Sequence, residues 1–166
     1  MESRAKLFGH PIHPMLIVLP LGLFTMAVIS DIAFYVTGNG TFAAVSYWNI
    51  VGGIVGGLLA AIFGLIDWLA IPSRTRAKSI GLYHGAGNVV VVALFAASWF
   101  LRWNVGEHFP SLMAVLLGGL GLILGVVTGW LGGELVDRLG VGVDEGAHVN
   151  APSSLREPPP GGPIGA

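Results

Sequence analysis

Apolar residues run almost without interruption through four stretches of this chain, Met15–Val36, Ala43–Ile71, Ser79–Leu101 and Leu112–Leu131, and polar residues collect between them. A helix needs about 20 apolar residues to cross a hydrocarbon core of about 30 Å. Each stretch is long enough. The runs are continuous rather than alternating, so they predict helices and not the short two-faced strands of a membrane barrel. With their flanking turns, the helices are expected over about 14–36, 43–71, 79–103 and 111–138.

The connections are short. Thr37–Phe42 contains Gly38-Asn39-Gly40, Pro72–Lys78 is polar and basic, and Arg102–Ser111 carries Asn104, Gly106 and Pro110. Such residues mark turns, and short turns make successive helices antiparallel neighbours. The pattern predicts an all-α fold, an integral-membrane antiparallel four-helix bundle of up-down-up-down order over residues 1–143. Residues 144–166, with Pro152, Pro158, Pro159, Pro160, Pro163 and several glycines, predict a disordered tail that cannot build a core. The first apolar stretch is longer than the core of a signal peptide, and no A-x-A site follows it. No internal repeat of 20–50 residues is visible.

Composition supports the membrane class. The 166 residues are 54% hydrophobic and 10% charged, with a mean hydropathy of +0.77. Soluble domains carry about 25% charged residues. Eight Lys/Arg and nine Asp/Glu cannot coat a water-facing surface, and they offer no basic face for nucleic acid. The absence of cysteine excludes disulfides, thiolate metal sites and cysteine nucleophiles. Arg4, Lys6, Arg74, Arg76, Lys78 and Arg138 fall on one side of the expected bundle and only Arg102 on the other; Arg156 lies far out in the tail. The excess of Lys and Arg predicts that this side, with both termini, faces the cytoplasm. Tyr35, Tyr47, Trp48, Trp99 and Trp103 would mark the outer interface, and Trp68, Tyr83 and Trp130 the inner one.

Antiparallel threading brings polar residues from all four helices to the inner side. His10 and His13 precede helix one, Asp67 ends helix two, His84 begins helix three, and Glu134 and Asp137 end helix four. Ionisable groups at membrane depth usually face the bundle interior or a cavity. Gly9-His10-Pro11-Ile12-His13-Pro14 predicts a stiff lead-in with the helix starting at Pro14 and His13 beside its cap. The two histidines are then preset ligands, or simply interfacial histidines on a rigid turn. His84 and Asn88 share a helix face among Gly81, Gly85 and Gly87. That face offers room for a flat cofactor or water, or a hydrogen bond that fastens two helices. Asp67 could pair with Arg74 or Arg76, and Glu134 with Arg138.

Taken together, His10, His13, Asp67, His84 and Glu134 are the candidate metal ligands, backed by Asn88 and Asp137, with Arg74 and Arg76 available to the acidic groups of a cofactor. Mixed histidine and carboxylate ligands suit a zinc or non-haem iron ion. His13 and His84, on different helices at matching depth, suit haem b. Both remain open. Asp31 lies 18 residues beyond His13, about 27 Å along a helix, so it takes a structural role at the outer side with Asn49 as a hydrogen-bond partner. His108 and His148 are expected to be solvated. Gly52, Gly53, Gly56 and Gly57 in helix two, and Gly118, Gly121, Gly125, Gly129 and Gly132 in helix four, predict close helix packing or room beside a porphyrin.

These strings resemble a known family. Gly9-His10-Pro11-Ile12-His13-Pro14 with Leu19-Pro20-Leu21-Gly22 looks like the opening signature of the bacterial membrane proteins grouped as domain of unknown function 2231. Gly64-Leu65-Ile66-Asp67-Trp68-Leu69 and His84 with Asn88 are similar to its middle segments. Gly129-Trp130-Leu131-Gly132-Gly133-Glu134-Leu135-Val136 and Gly140-Val141-Gly142-Val143 are similar to its closing ones. The resemblance covers roughly residues 7–145. It implies a small multi-pass protein of the bacterial inner membrane and makes His10, His13, Asp67, His84 and Glu134 its characteristic set. It also implies a histidine before Gly140, where Leu139 stands here.

The expected function is a metal centre in a redox-associated or accessory role. The alternative is a non-catalytic subunit of a larger membrane complex, with other membrane-protein subunits as partners. A proton path ranks last, because the middle of every span is apolar. No nucleophile elbow, phosphate loop or dinucleotide fingerprint appears, so no enzyme class is assigned.

Overall fold

Each turn hands the chain to its next helix through a side-chain cap. Asn39 accepts from the Thr41 N–H, Thr75 from Lys78, and Ser111 from Ala114, each satisfying a backbone donor that a helix start leaves unpaired. Gly38, at φ 68°, closes the first long helix by turning its N–H onto the Phe34 carbonyl, a left-handed position where glycine has no β-carbon penalty. In the computed structural model, which describes residues 1–155, these caps delimit α1 (Ile12–Leu16), α2 (Val18–Thr37), α3 (Gly40–Ala70), α4 (Arg76–Phe100) and α5 (Leu112–Gly133). A π-helical turn, Glu134–Arg138, extends α5. Two short strands, β1 (Lys6–Leu7) and β2 (His10–Pro11), pair antiparallel ahead of α1.

Four helices are long and apolar enough to cross a membrane: Ile12–Thr37, Gly40–Ala70, Arg76–Phe100 and Leu112–Arg138. The first is α1 and α2 in succession. Its break at Ile17 falls where Pro20 has no N–H to offer the Leu16 carbonyl, while Ile17 and Leu21 still reach His13 and Ile17. The helix begins at Ile12, two residues before the expected Pro14. Pro14 is tolerated there because the first N–H groups of a helix have no partner within it. His13 is therefore a helix residue, and His10 belongs to β2.

The bundle closes as a ring. α2 packs along α3, α4 along α5, and the two hairpins meet through α3 with α4 and α2 with α5. Phe24, Ala27, Ile50, Val91 and Phe95 form the core. Large apolar side chains such as Leu58, Ile62, Ile123 and Val126 point outward and are more than half exposed, as lipid-facing positions require. The part of the expected tail at 144–155 has turns but no helix or strand and runs back against the amino-terminal segment, with the Glu145 N–H on Glu2 Oε1. The remainder of that expected tail, 156–166, lies outside the described residues.

The two hairpins repeat each other. Asp31 and Arg102 are 71 residues apart and in contact. The same interval separates Phe24 from Phe95, whose rings stack at 3.9 Å with planes 2° apart, and His13 from His84, whose rings are 6.2 Å apart. The following helices repeat too. A β-carbon on Gly53 would lie 2.4 Å from Phe24, and one on Gly121, 68 positions later, 2.9 Å from Phe95. α2 and α4 run in one direction and α3 and α5 in the other. The hairpins are thus parallel copies about an axis along the bundle, and three residue pairs meet along it: histidines, phenylalanines, then Asp31 with Arg102.

Candidate functional site

The histidine pair lies at the end of the bundle that carries the amino-terminal segment and residues 139–155. His13 Nδ1 is 2.8 Å from the Ala60 carbonyl on α3, and His84 Nδ1 is 2.8 Å from the Thr128 carbonyl on α5. A carbonyl only accepts, so each Nδ1 carries a proton and donates it; Asn88 Nδ2 also lies 3.4 Å from His84 Nε2. One helical turn beyond each carbonyl stands a glycine that receives the ring. A β-carbon on Gly64 would come within 2.9 Å of His13 Nδ1, and one on Gly132 within 3.1 Å of His84 Cε1. Any side chain at either glycine would displace an imidazole.

The two ring planes are 86° apart. Both histidines are half-buried. Asn88, one turn along α4, donates from Nδ2 to the His84 carbonyl at 2.8 Å and accepts from the Thr128 hydroxyl at 3.1 Å. Thr128 thus fixes His84 by its carbonyl and Asn88 by its side chain. A backbone carbonyl on Nδ1 is the arrangement that sets the tautomer and direction of a metal-binding histidine.

The other expected ligands have different partners. Asp67 receives the amino-terminal segment: Ser3 Oγ lies 2.8 Å from both carboxylate oxygens, and the Arg4 and Ala5 N–H groups donate to Oδ1 at 2.8 and 3.4 Å. The amino terminus continues to the Gly140 carbonyl at 2.8 Å, and the Gly142 N–H returns to Met1. Glu134 pairs with Arg76 across α4 and the end of α5, rather than with Arg138. Arg74 is exposed in the turn before α4 and adopts φ 63°. Asp137 is exposed. His10 is exposed on β2, with Nε2 3.3 Å from Ser154 Oγ. Among the described residues, no group of three or more His, Asp or Glu side chains converges closely enough to hold an ion. The five expected ligands therefore divide into an imidazole pair, a carboxylate that clasps the amino terminus, a surface ion pair and a peripheral histidine.

Lys6 strengthens the amino-terminal clasp by pairing with Glu2 and lying 3.5 Å from Asp144. The Glu2 hydrogen bond holds the Lys6 ammonium above its usual range. The Gly146 N–H, with Lys6 adding to it, holds the Asp144 carboxyl below its usual range. Trp68 and Lys78 tie α3 to α4 nearby, the indole N–H donating to the Lys78 carbonyl and the ammonium lying 4.0 Å from the ring centroid.

The far end holds a polar centre that the sequence pattern left unseen. Arg102 is fully buried and uses all five of its N–H groups. Nη1 meets Asp31 Oδ1 at 2.7 Å and Ser46 Oγ at 2.9 Å, Nη2 meets Asp31 Oδ2 at 2.8 Å and Ser98 Oγ at 2.9 Å, and Nε donates to the Ser98 carbonyl. Asn49, the expected partner of Asp31, is not among these contacts. His108 is not solvated: it stacks on Tyr47 at 3.8 Å and donates to the Arg102 carbonyl. One signal was available. Asp31 follows His13, and Arg102 follows His84, by the same 18 positions.

The family model described as predicted membrane protein (DUF2231) matches residues 9–145. No curated protein and no solved structure matches the chain.

Proposed function

This chain belongs to the DUF2231 family of predicted membrane proteins, and from that premise we propose that it carries a metal-centred group between His13 and His84, in a redox-associated or accessory role. The observation that carries this reading is the preparation of both imidazoles. Each has its Nδ1 proton committed to a helix carbonyl and its ring seated over a glycine. Orienting two half-buried imidazoles in this way at one end of a bundle suits coordination better than packing. Asp67 and Glu134, engaged with Ser3 and Arg76, act outside the centre in this reading, which removes the main argument for a mixed histidine–carboxylate ion site.

The protein is proposed to sit in the bacterial inner membrane with both termini cytoplasmic. Charge supports this orientation more strongly once Arg102 is discounted as a buried ion-pair partner. Every other Lys or Arg among the described residues lies at the terminal end of the bundle. The direct test is metal analysis of the full chain purified in detergent, beside His13→Ala and His84→Ala. About one metal per chain, lost in both variants, is the expected result; metal-free protein, or metal retained by both variants, rejects the reading.

A further inference from the structure

We propose that the β1–β2 hairpin is a membrane-interface anchor, its Leu7-Phe8 tip seated among the headgroups and upper acyl chains of the leaflet that this end of the bundle enters. The anchor is independent of any group held by the histidine pair. The first observation is the turn itself. Leu7 pairs with His10, so Phe8 and Gly9 alone make the turn, at φ 50° and 82°. A two-residue turn with positive φ at both centres suits Asn-Gly, because a larger L side chain at the first centre crowds its own backbone. Gly9 meets that demand and Phe8 does not. Phe8 is nevertheless 74% exposed, and Leu7 beside it 47%. A strained aromatic turned outward gains nothing from water, whereas the headgroup layer removes its ring from water.

Continuity with the lipid-facing surface is the second. Pro11 leads directly into Ile12, where the first span begins. A groove of about 430 Å³, lined by His10, Pro11, Pro14 and Met15, joins the hairpin to the first helical turn, and Met15 and Val18 are 50% and 61% exposed. The apolar surface continues from the tip through this groove onto the span. Depth agrees. The 26 residues Ile12–Thr37 cover about 39 Å at about 1.5 Å per residue. That exceeds a hydrocarbon core of about 30 Å and approaches the about 40–45 Å of the whole bilayer, so Ile12 starts in the headgroup layer. Hairpin arms of two residues reach only about 7 Å further, which keeps the tip at the membrane surface.

Rigidity gives the third. The Ile12 N–H donates to the Ala5 carbonyl at 2.9 Å, and Asp67 holds Ser3, Arg4 and Ala5, so the hairpin is fixed to α1 and α3. Ser154 backs the turn: its Oγ is 3.3 Å from His10 Nε2, and a β-carbon on Gly9 would come within 2.7 Å of Ser154 Cβ. Covered at Gly9 and open at Phe8, the tip presents one apolar face in a fixed place. Of the surfaces that could cover it, the bilayer is the one that the adjoining span already brings there. Seated in it, the tip fixes the depth of α1 and with it the level of His13.

The chain has no cysteine, so a nitroxide on Phe8→Cys reports one site in the full chain, reconstituted in vesicles of phosphatidylethanolamine and phosphatidylglycerol. Power-saturation EPR compares collisions with oxygen, which concentrates in lipid, and with a water-soluble nickel chelate. Labels on Leu58→Cys, at an outward-facing position of α3, and on Val149→Cys, at a fully exposed position, give the lipid and water limits. The label at position 8 should meet the chelate several-fold less often than the label at 149, and oxygen more often. In the Phe8→Asn background, which suits the turn, a label on Leu7→Cys should move toward the water limit. Equal chelate access at 8 and 149, or no shift at 7, overturns the anchor. Spectral broadening at 8 that fades on dilution with unlabelled chain puts a second copy on the tip and overturns it as well. A label shielded from both reagents without such broadening assigns the tip to packing within the protein and rejects lipid.

Discussion

Arg102 and Asp31 meet as a two-point ion pair, at 2.7 and 2.8 Å, with both side chains almost wholly sealed from the surroundings. A buried pair of this kind is weak support for stability when compared with apolar residues of similar shape, but removing one partner leaves the other charge stranded. Ser46 and Ser98 complete the guanidinium's hydrogen bonds, so the centre has no slack to compensate a loss.

Arg102→Met should therefore destabilise the protein by about 3–5 kcal/mol, and Asp31→Leu by a similar amount, with the double variant recovering most of the loss. Thermal unfolding in detergent, followed by far-UV circular dichroism, measures this. Two single losses that simply add in the double variant would contradict a direct pair.

The helices were legible in the sequence because lipid leaves one solution for a long apolar run. The turns were legible because Gly38, Asn39 and Pro72 announce themselves. The depth of His13 and His84 followed from threading alone. Their separation from Asp67 and Glu134 did not, because side chains at one membrane level can still face different neighbours. Asp67 was claimed by Ser3, Arg4 and Ala5, residues whose sequence carries no packing signal. The hairpin duplication escaped because its interval exceeds that of ordinary repeat proteins. Few positions are identical across it, and the pair Asp31 and Arg102 bears opposite charges. Leu23-Phe24 against Leu94-Phe95, with the shared histidines and glycines, is the residue-level trace it leaves.

Asp67→Asn should free the amino-terminal segment while the bundle stays folded. The neutral amide loses the charge assistance of contacts that each contribute about 1.5–3 kcal/mol when one partner is ionised, less at this half-exposed site. Faster amide exchange over residues 2–11, with α3 and α4 unchanged, is the expected readout. The Lys6 tie should show little pH dependence between about pH 5 and 9. The raised Lys6 value means its contribution persists up to 10.5 and fades as pH climbs beyond it. The lowered Asp144 value means its contribution holds above 3.8 and fades as pH falls below it. Release of the segment near neutral pH would show that these groups do not hold it.

Gly53→Ala and Gly121→Ala test whether the glycine stripes serve packing. The added methyl would sit 2.4 Å from Phe24 in one case and 2.9 Å from Phe95 in the other, and these rings are stacked on each other. Overpacking of a filled core costs about 1–3 kcal/mol. The Gly53 substitution should be the worse, and Phe24→Leu should relieve it in part. Equal, negligible effects at both glycines would mean the helices can separate without penalty.

The duplication makes a stronger demand, that the two hairpins are held by their shared axis and not by the turn between them. Pro72, Ser73 and Arg74 are exposed in that turn, so a protease site can replace them without touching the core. Across the cut, Phe24 still stacks on Phe95, Asp31 still binds Arg102, and α2 still packs on α5. The chain break costs only loop-closure entropy, which varies slowly with length. The cleaved protein should run as a single species on size exclusion in detergent and unfold at nearly the intact temperature. Introducing Arg102→Met before cleavage removes the buried ion pair between the halves and leaves only outlying charged contacts such as Lys6 with Asp144, so the two fragments should then come apart more readily. Fragments that separate from the otherwise unaltered chain at once would show that the turn, and not the axis, joins the hairpins.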